Sequence, residues 1–297
     1  MVCRMSVAVV LAFFQPVAFE LPRRHFHATL QTLNAVGVPL VVAQAVFPGQ
    51  QPQPVPESVP QLVYRLPSVI WAKEALWNAA ATSTTAEYLV FLDADVVFSE
   101  SAWLDRTVET LQRCDITQPF GRCRWLDRAG RVELHKTAAV ASLPDKAPPQ
   151  MQTYHPGFGW AMTRDAFDRL GGLYDLNACG GNDSALLFAL SNHTDSERYI
   201  GWFGKRQDRT VVSQSWRAYR DNAQAQQFRY GVTEGMITHL WHGDRKDRQY
   251  QTREASFRRN AQGEFDLRRR PDGMLEWIYP ADAKAAEAYF LARRDDG

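Results

Sequence analysis

The stretch EYLVFLDADVVF, at residues 87–98, contains an apolar run at residues 88–92, predicted as a strand, that leads into two carboxylates. Because side chains alternate along a strand, we expect Asp93 and Asp95 to point the same way if the strand continues through them. Two convergent carboxylates suit a hard divalent cation, which commonly also holds the phosphates of a substrate. The competing interpretation is a strand that ends in an ordinary Asp-rich turn, and this stretch alone does not decide between the two.

The segments around this strand predict an α/β fold. Residues 6–14 and 38–47 are apolar runs typical of strands buried on both faces, and residues 25–36 between them have helical spacing. A β-α-β opening implies a right-handed crossover and a mainly parallel sheet. The same patterns predict further strands at 62–66, 116–120, 132–137 and 236–242, and helices at 68–81, 101–114, 164–170, 184–191, within 210–230 and at 282–294.

The composition is that of an ordinary globular protein, with 297 residues, 23% of them charged, and a net charge of +1. The charge is uneven, because residues 200–270 contain fifteen Lys and Arg against eight Asp and Glu. A basic segment of this kind suits a phosphate-rich ligand or an acidic acceptor, including a nucleic acid. The alternative is a solvated surface of mixed charges.

The cysteines and the N-terminal region predict a cytoplasmic protein. No CxxC pair occurs, and no Cys–His spacing resembles a zinc site, so we expect reduced thiols. The apolar run at residues 6–14 is followed by Pro16 and Glu20, so we interpret it as a buried first strand and predict no targeting or transmembrane segment. The four cysteines are Cys3, Cys114, Cys123 and Cys179.

Two further motifs carry groups suited to chemistry. Gly180-Gly181-Asn182-Asp183 leads into a predicted helix whose first turn presents a carboxylate, which either serves as a base or complements the helix dipole. Residues 238–243, THLWHG, place two imidazoles at a strand end, and an imidazole is an acceptable ligand for Mn²⁺. Because residues three apart on a strand face opposite sides, we expect only one of His239 and His242 to ligate.

The order of these motifs resembles that of GT-A fold nucleotide-sugar glycosyltransferases. Residues 154–187, which include FGWAMTRDAFDRLGGLYDLNACGGND, are similar to the segment of β-1,4-galactosyltransferase-like enzymes that ends in a GGEDD-type motif. Related patterns occur in polypeptide N-acetylgalactosaminyltransferases. The resemblance spans residues 6–243. It implies a mixed, mainly parallel sheet flanked by helices in one domain, with residues 1–243 as the catalytic domain and 244–297 as a basic extension packed on it.

The resemblance also implies a reaction. Asp93 and Asp95 would hold Mn²⁺ or Mg²⁺ against the diphosphate of a nucleotide sugar, UDP-linked by preference. His239 or His242 would complete the metal shell, and we favour His242 because Gly243 follows it. Asp183 would be the general base that deprotonates an acceptor hydroxyl, which predicts inversion at the anomeric carbon.

The remaining residues implied by the resemblance would bind the donor or the acceptor. Phe14 and Gln15 would lie near the nucleobase, and Lys73 and Asn78 near the nucleotide or its phosphates. Gly181 and Asn182 belong to the motif that contacts donor sugar and acceptor, where Asn182 replaces an acidic residue. Stacking on sugar rings is expected of Trp160, Trp202 and Trp241. Screening of the leaving-group charge is expected of Arg245, Lys246 and Arg248.

Three alternatives share parts of this pattern. The first is the same donor chemistry on a nucleic-acid acceptor, held by the basic segment at residues 200–270. The second is a nucleotidyltransferase, which also uses paired carboxylates for metal and phosphates. The third is a non-catalytic binding module with a degenerate site. The partners expected from the preferred interpretation are a nucleotide-sugar donor and a saccharide or other hydroxyl acceptor.

Overall fold

The structure is a computed structural model, and it describes residues 6–144, 150–191, 213–249 and 253–297. Its strands are β1 (Val7–Phe14), β2 (Leu40–Val46), β3 (Gln61–Arg65), β4 (Tyr88–Leu92), β5 (Val96–Phe98), β6 (Ile116–Thr117), β7 (Arg122–Leu126), β8 (Val132–Ala138), β9 (Tyr154–His155), β10 (Gly159–Thr163), β11 (Met236–His239), β12 (Leu267–Arg269) and β13 (Leu275–Trp277). Its helices are α1 (Glu20–Ala35), α2 (Lys73–Thr82), α3 (Trp103–Leu111), α4 (Arg164–Leu170), α5 (Asn182–Leu190), α6 (Gln214–Ala225) and α7 (Pro280–Ala292).

The central sheet has the order β3-β2-β1-β4-β10-β6. Strands β3, β2, β1 and β4 are parallel, whereas β10 is antiparallel to both of its neighbours. This confirms the predicted mixed, mainly parallel α/β sheet. The strand order reverses between β1 and β4, and ligands of open α/β sheets bind at the carboxyl ends of the strands at such a point. Phe14 and Asp93 lie at those two ends.

Two helices begin at positions that local patterns did not indicate. Helix α1 begins at Glu20, five residues before the predicted start, because the backbone N–H groups of Glu20 and Leu21 donate to the Asp296 carboxylate at 2.9 and 2.7 Å. Helix α2 begins at Lys73, so the prediction of a start at residue 68 was wrong. There the N–H of Trp71 donates to the Ala178 carbonyl at 3.2 Å, which holds the preceding segment outside the helix.

The Asp296 contact yields a stability prediction. We expect Asp296→Ala to lower the free energy of unfolding by about 1 kcal/mol, since it removes the acceptor of two N-terminal N–H groups of α1. Urea denaturation measures this, with Glu287→Ala on an exposed face of α7 as the control. Equal stability of the two variants would contradict the capping role of Asp296.

A second sheet, with the order β5-β11-β7-β8-β9, stands beside the first. Strands β5 and β7 were not predicted, because β5 has only three residues and β7 alternates buried with exposed or half-exposed residues. Strand β11 pairs with β5 in antiparallel fashion, with His239 opposite Val96. Since β5 follows Asp95 directly, this pairing brings the aspartate to the end of β11, where the histidines lie.

The C-terminal part of the chain packs on the same core. The β12-β13 hairpin was not predicted. Leu275, Trp277 and Phe290 belong to the main hydrophobic cluster, and the Trp277 Nε1–H donates to the Val69 carbonyl at 2.9 Å.

Part of the basic excess at residues 200–270 is neutralised by acids from elsewhere in the chain. The ion pairs are Arg229–Asp115 at 2.9 Å, Arg258–Asp282 at 3.2 Å and Arg269–Asp175 at 2.7 Å. These pairs explain why the rest of the chain carries the compensating negative charge, and they do not favour a nucleic-acid partner. Residues 200–212 and 250–252 of the segment lie outside the described residues.

Within the described ranges, no helix has both the length and the apolar character needed to span a bilayer. Cys114 and Cys123 are buried free thiols, Cys179 is also buried, and Cys3 lies outside the described residues. Burial raises the pKa of Cys114 to about 11 and that of Cys123 to about 12, so these thiols are protonated at neutral pH.

Candidate functional site

Asp95, His239 and His242 converge at the edge shared by the two sheets. The Asp95 Oδ2 lies 2.7 Å from the Nε2 of His242 and 3.5 Å from that of His239. One ligand atom from each of the three residues lies within 4.8 Å of the others. Both histidines approach Asp95, because β11 ends at His239 and the strand alternation on which the expectation of a single ligand rested does not extend to His242.

This cluster fits a divalent cation. The Asp95 Oδ1 and the His239 Nδ1 are buried and have no hydrogen-bond partner among the described residues, which is costly unless a ligand or solvent group satisfies them. Burial alone would raise the pKa of Asp95, but His239 and His242 hold it well below its usual range. Burial lowers the pKa of His239, which favours the neutral imidazole that ligates metals. One carboxylate with two imidazoles suits Mn²⁺ and its neighbours in the first transition row.

Asp93 points elsewhere, and the expectation that it would share the direction of Asp95 was wrong. Strand β4 ends at Leu92, so the two-residue alternation does not continue through residues 93–95. The Asp93 Oδ1 accepts from the Lys73 Nζ at 2.8 Å, and the Oδ2 accepts from the Phe158 N–H at 3.2 Å. In this structure Asp93 therefore holds Lys73 and is not one of the three clustered ligands.

Lys73 is a buried cation at the start of α2. Its Nζ also lies 3.6 Å from the Glu74 Oε1 and 4.6 Å from the centre of the Trp77 ring. Burial opposes its charged form, but Asp93 and Glu74 raise the pKa of Lys73 above its usual value. The side chain is therefore a fixed positive charge.

A cavity of about 420 Å³ opens beside the metal cluster. It lies at the carboxyl ends of β1 and β4, and residues from α5 and α7 also line it. The sequence-predicted residues that line it are Phe14, Gln15, Lys73, Asp93, Asp95, Gly181, Asp183, His239, His242, Arg245 and Arg248.

Asp183 presents its carboxylate to this cavity from the first turn of α5. The helix begins after Gly181, whose φ of 93° lies in the left-handed region that favours glycine. The Asp183 Oδ1 accepts from the Ser184 N–H at 2.8 Å. A Cβ added at Gly157 would lie 2.8 Å from the Asp183 Oδ2 and 2.8 Å from the His155 Nε2. The glycine thus allows both side chains to approach the backbone at residue 157 more closely than a residue with a Cβ would permit.

Asn182 does not face the cavity, although it was expected to contact substrate. It is 1% exposed, its Oδ1 accepts from the Asn177 N–H at 3.0 Å, and its Nδ2 donates to the Glu74 Oε2 at 2.9 Å. A carboxylate at this position would face buried Glu74. The contact gives a physical reason for Asn where the GGED-type motif has an acid.

We expect Asn182→Asp to lower the free energy of unfolding by about 3 kcal/mol, since it places a second buried carboxylate against Glu74. Urea denaturation at neutral pH measures the loss. The double variant Asn182→Asp/Glu74→Gln should recover part of it, because one of the two acids is then neutral. If Asn182→Asp is as stable as the wild type, the charge of Glu74 does not act on residue 182.

Other predicted binding residues also lie outside this cavity. The Asn78 side-chain amide bonds to both backbone groups of Leu173 at 2.8 Å, so it fixes α2 to a turn. Trp160 is 1% exposed on β10 and belongs to the core, so it is not placed to stack on a sugar. Lys246 and Trp241 line a second cavity, of about 650 Å³. Trp202 lies outside the described residues.

Several cavity residues were missed by the sequence interpretation. One of them is His155, on the two-residue strand β9. Burial holds the pKa of His155 well below its usual range, and its Nε2 has no hydrogen-bond partner in the described part of the chain. Lys136 on β8 and Trp125 on β7 also line the cavity. From the C-terminal extension, the Asp295 Oδ1 lies 3.8 Å from the His242 Nδ1. No local pattern marks these positions, because they meet the site only through tertiary pairing.

No known protein family matches the sequence, and no curated protein matches it either. The fold aligns with several solved structures. Glucosyl-3-phosphoglycerate synthase from Mycobacterium tuberculosis, in complex with Mn²⁺, UDP-glucose and phosphoglyceric acid, gives a TM-score of 0.38 and 16% identity over 62% of this chain and 64% of that chain. A mannosyltransferase from Pyrobaculum calidifontis, in complex with GDP-mannose and Mn²⁺, gives a TM-score of 0.42 and 14% identity over 84% of this chain and 62% of that chain.

A third solved structure, TarS from S. aureus in complex with UDP-GlcNAc, gives a TM-score of 0.42 and 11% identity over 64% of this chain and 55% of that chain. In all three cases the alignment spans less than two thirds of the solved chain. The scores and identities are too low to carry function across. The functional argument therefore depends on the site itself.

Proposed function

We propose that this protein is a metal-dependent glycosyltransferase that moves a sugar from a nucleoside-diphosphate sugar, preferably UDP-linked, to an acceptor hydroxyl. The observation that carries the proposal is the metal-ligand cluster of Asp95, His239 and His242, which lines the same cavity as the carboxylate of Asp183. A metal next to a free carboxylate is the combination needed to bind a diphosphate and to activate a hydroxyl.

Asp95, His239 and His242 would hold Mn²⁺, or Mg²⁺ in its place. When bound, the ion supplies positive charge that stabilises the diphosphate leaving group. The two imidazoles favour Mn²⁺, since Mg²⁺ prefers a shell of oxygen ligands. Asp93 keeps a supporting role, because it fixes the position of Lys73.

The chain supplies the rest of the donor site. Lys73 offers a fixed positive charge in the cavity wall, and Arg248 lies against His242, with its Nη2 2.8 Å from the His242 Nδ1. Phe14 and Gln15 lie at the end of β1, and the Phe14 ring centre is 5.1 Å from that of Trp71. These aromatic groups provide an apolar surface for the nucleobase, and the cations suit the phosphates.

Asp183 is the proposed general base. It takes the proton from the acceptor hydroxyl as the oxygen attacks the anomeric carbon, and the nucleoside diphosphate leaves from the opposite face. One such displacement inverts the configuration at that carbon. The Ser184 N–H donates to the Oδ1 of Asp183 and so orients the carboxylate.

We also propose that residues 1–243 form the catalytic domain and that residues 244–297 complete it. Phe290, Arg293 and Asp295 of this extension line the cavity, which supports an integral role. The free, buried cysteines support a reducing compartment, so we place the reaction in the cytoplasm.

A thermal-shift screen of UDP- and GDP-sugars, with and without Mn²⁺, tests the proposed function. A ligand at about 100 times its dissociation constant stabilises a protein by about 2.7 kcal/mol, which is readily detected. We expect stabilisation that requires the metal, and transfer that releases a nucleoside diphosphate. Release of pyrophosphate would identify a nucleotidyltransferase instead, and stabilisation that is equal in EDTA would contradict the metal site.

A further inference from the structure

Two cations face the cavity without a carboxylate partner. Lys136 projects from β8, and its Nζ donates to the Met151 carbonyl at 2.5 Å. Arg245 begins the short 3₁₀ turn Arg245–Arg248 and lines both this cavity and the second one. Within the described part of the chain, neither side chain has a carboxylate within ion-pair distance.

Two nearby cations, by contrast, are paired with carboxylates. Lys246 lies 3.4 Å from Asp244, and Arg131 lies 2.8 Å from Asp127. Lys136 is half-buried and Arg245 is exposed, and both line the same cavity. Their positive charges therefore repel each other there, and burial and the charge of Arg245 both lower the pKa of Lys136. An anion between them would relieve that repulsion.

Lys136 lies toward the Asp183 side of the cavity. The Lys136 Nζ is 5.9 Å from the centre of the Trp125 ring, and Trp125 stacks edge to face with His155 at 4.5 Å. His155 in turn borders Gly157 together with Asp183. Phe14 and Trp71, the proposed nucleobase surface, instead pack against Phe290 from the C-terminal extension.

We propose that Lys136 and Arg245 form a subsite for an anionic group, phosphate or carboxylate, on the acceptor. This inference rests on the proposed function and deepens it: the acceptor is a small phosphorylated or carboxylated alcohol whose hydroxyl reaches Asp183. The guanidinium supplies a planar fork and the ammonium a point charge, a combination suited to either anion. The buried, unpartnered Nε2 of His155 is available to hydrogen-bond the same molecule near its reacting end.

Calorimetry on the complex with Mn²⁺ and UDP tests the subsite. The probes are glycerol 3-phosphate, glycerate and glycerol, titrated at constant ionic strength. We expect one of the two anions to bind at least tenfold more tightly than glycerol, and the comparison between them separates phosphate from carboxylate recognition. Lys136→Met and Arg245→Gln should each weaken binding of that anion at least tenfold. Lys246→Met is the matched control, since this lysine is exposed and does not line the first cavity.

The outcomes separate the inference from the proposed function. If UDP and Mn²⁺ bind but neither anion binds better than glycerol, the subsite is wrong and the donor site stands. If Lys136→Met and Arg245→Gln weaken UDP binding by the same factor as anion binding, the two cations serve the donor diphosphate instead. If Lys246→Met loses as much anion affinity as the other two variants, the effect is general surface charge. Failure of UDP to bind with Mn²⁺ would contradict the proposed function itself.

Discussion

Asp183→Asn is expected to lower turnover by about 10²–10⁴-fold, the usual contribution of a general base, while Mn²⁺-dependent donor affinity changes little. The amide has the same shape as the carboxylate, so its oxygen can still accept from the Ser184 N–H. What is lost is the ability to take a proton from the acceptor. Steady-state kinetics gives the turnover, and titration of the nucleotide sugar with Mn²⁺ gives the donor affinity.

The matched control is Asp165→Asn. Asp165 also lies in the first turn of a helix, α4, but it is exposed and pairs with Arg169 at 3.0 Å, outside the cavity. We expect its replacement to leave turnover unchanged. Full turnover in Asp183→Asn would show that Asp183 is not the general base. A parallel loss of donor affinity would place Asp183 on the donor and not on the acceptor.

Asp95→Asn is expected to abolish Mn²⁺ binding at micromolar metal and to lower turnover by at least about 100-fold, because the bound ion contributes several kcal/mol of charge stabilisation. The substitution removes the carboxylate of the cluster but leaves both imidazoles in place. EDTA should stop the wild-type enzyme, and added Mn²⁺ should restore it. Mn²⁺ affinity is measured directly by electron paramagnetic resonance of the free ion.

Asp93→Asn provides the discriminating comparison, because its carboxylate bonds to Lys73 and the Phe158 N–H and lies outside the cluster. We expect this variant to keep its Mn²⁺ affinity and to lose donor affinity through displacement of Lys73. Circular dichroism confirms that both variants fold. If Asp93→Asn loses the metal as completely as Asp95→Asn does, the two aspartates act as a joint metal ligand pair, contrary to the roles assigned here.

Much of the fold could be predicted from local patterns. Strand β4 and helix α4 were predicted with their observed bounds, since an apolar run marks the first and local signals bound the second. Thr163 caps α4 by accepting from the Ala166 N–H at 3.1 Å, and Gly171 ends it. Elements fixed by contacts distant in sequence were missed or misplaced, such as the start of α1 on Asp296.

The site was also predicted only in part, because local patterns do not show contacts between residues distant in sequence. Residue types and their order pointed to a metal, and Asp95 and both histidines do meet. Their convergence depends on where β4 and β11 end, which side-chain alternation cannot indicate. Asp93 and Asn182 have the expected residue types but point into buried contacts with Lys73 and Glu74. Those contacts exist only once the first turn of α2 meets the residue after β4 and the first residue of α5.

The most direct test of the account is the position of Mn²⁺ in crystals of the wild-type protein soaked with MnCl₂ and UDP. Anomalous diffraction at the manganese edge locates the ion without assumptions about the reaction. The account predicts one strong peak between the Asp95 carboxylate and the imidazoles of His239 and His242, with the UDP phosphates beside it. A peak held by Asp93 or Asp183 without the histidines, or no peak in the cavity, would contradict it.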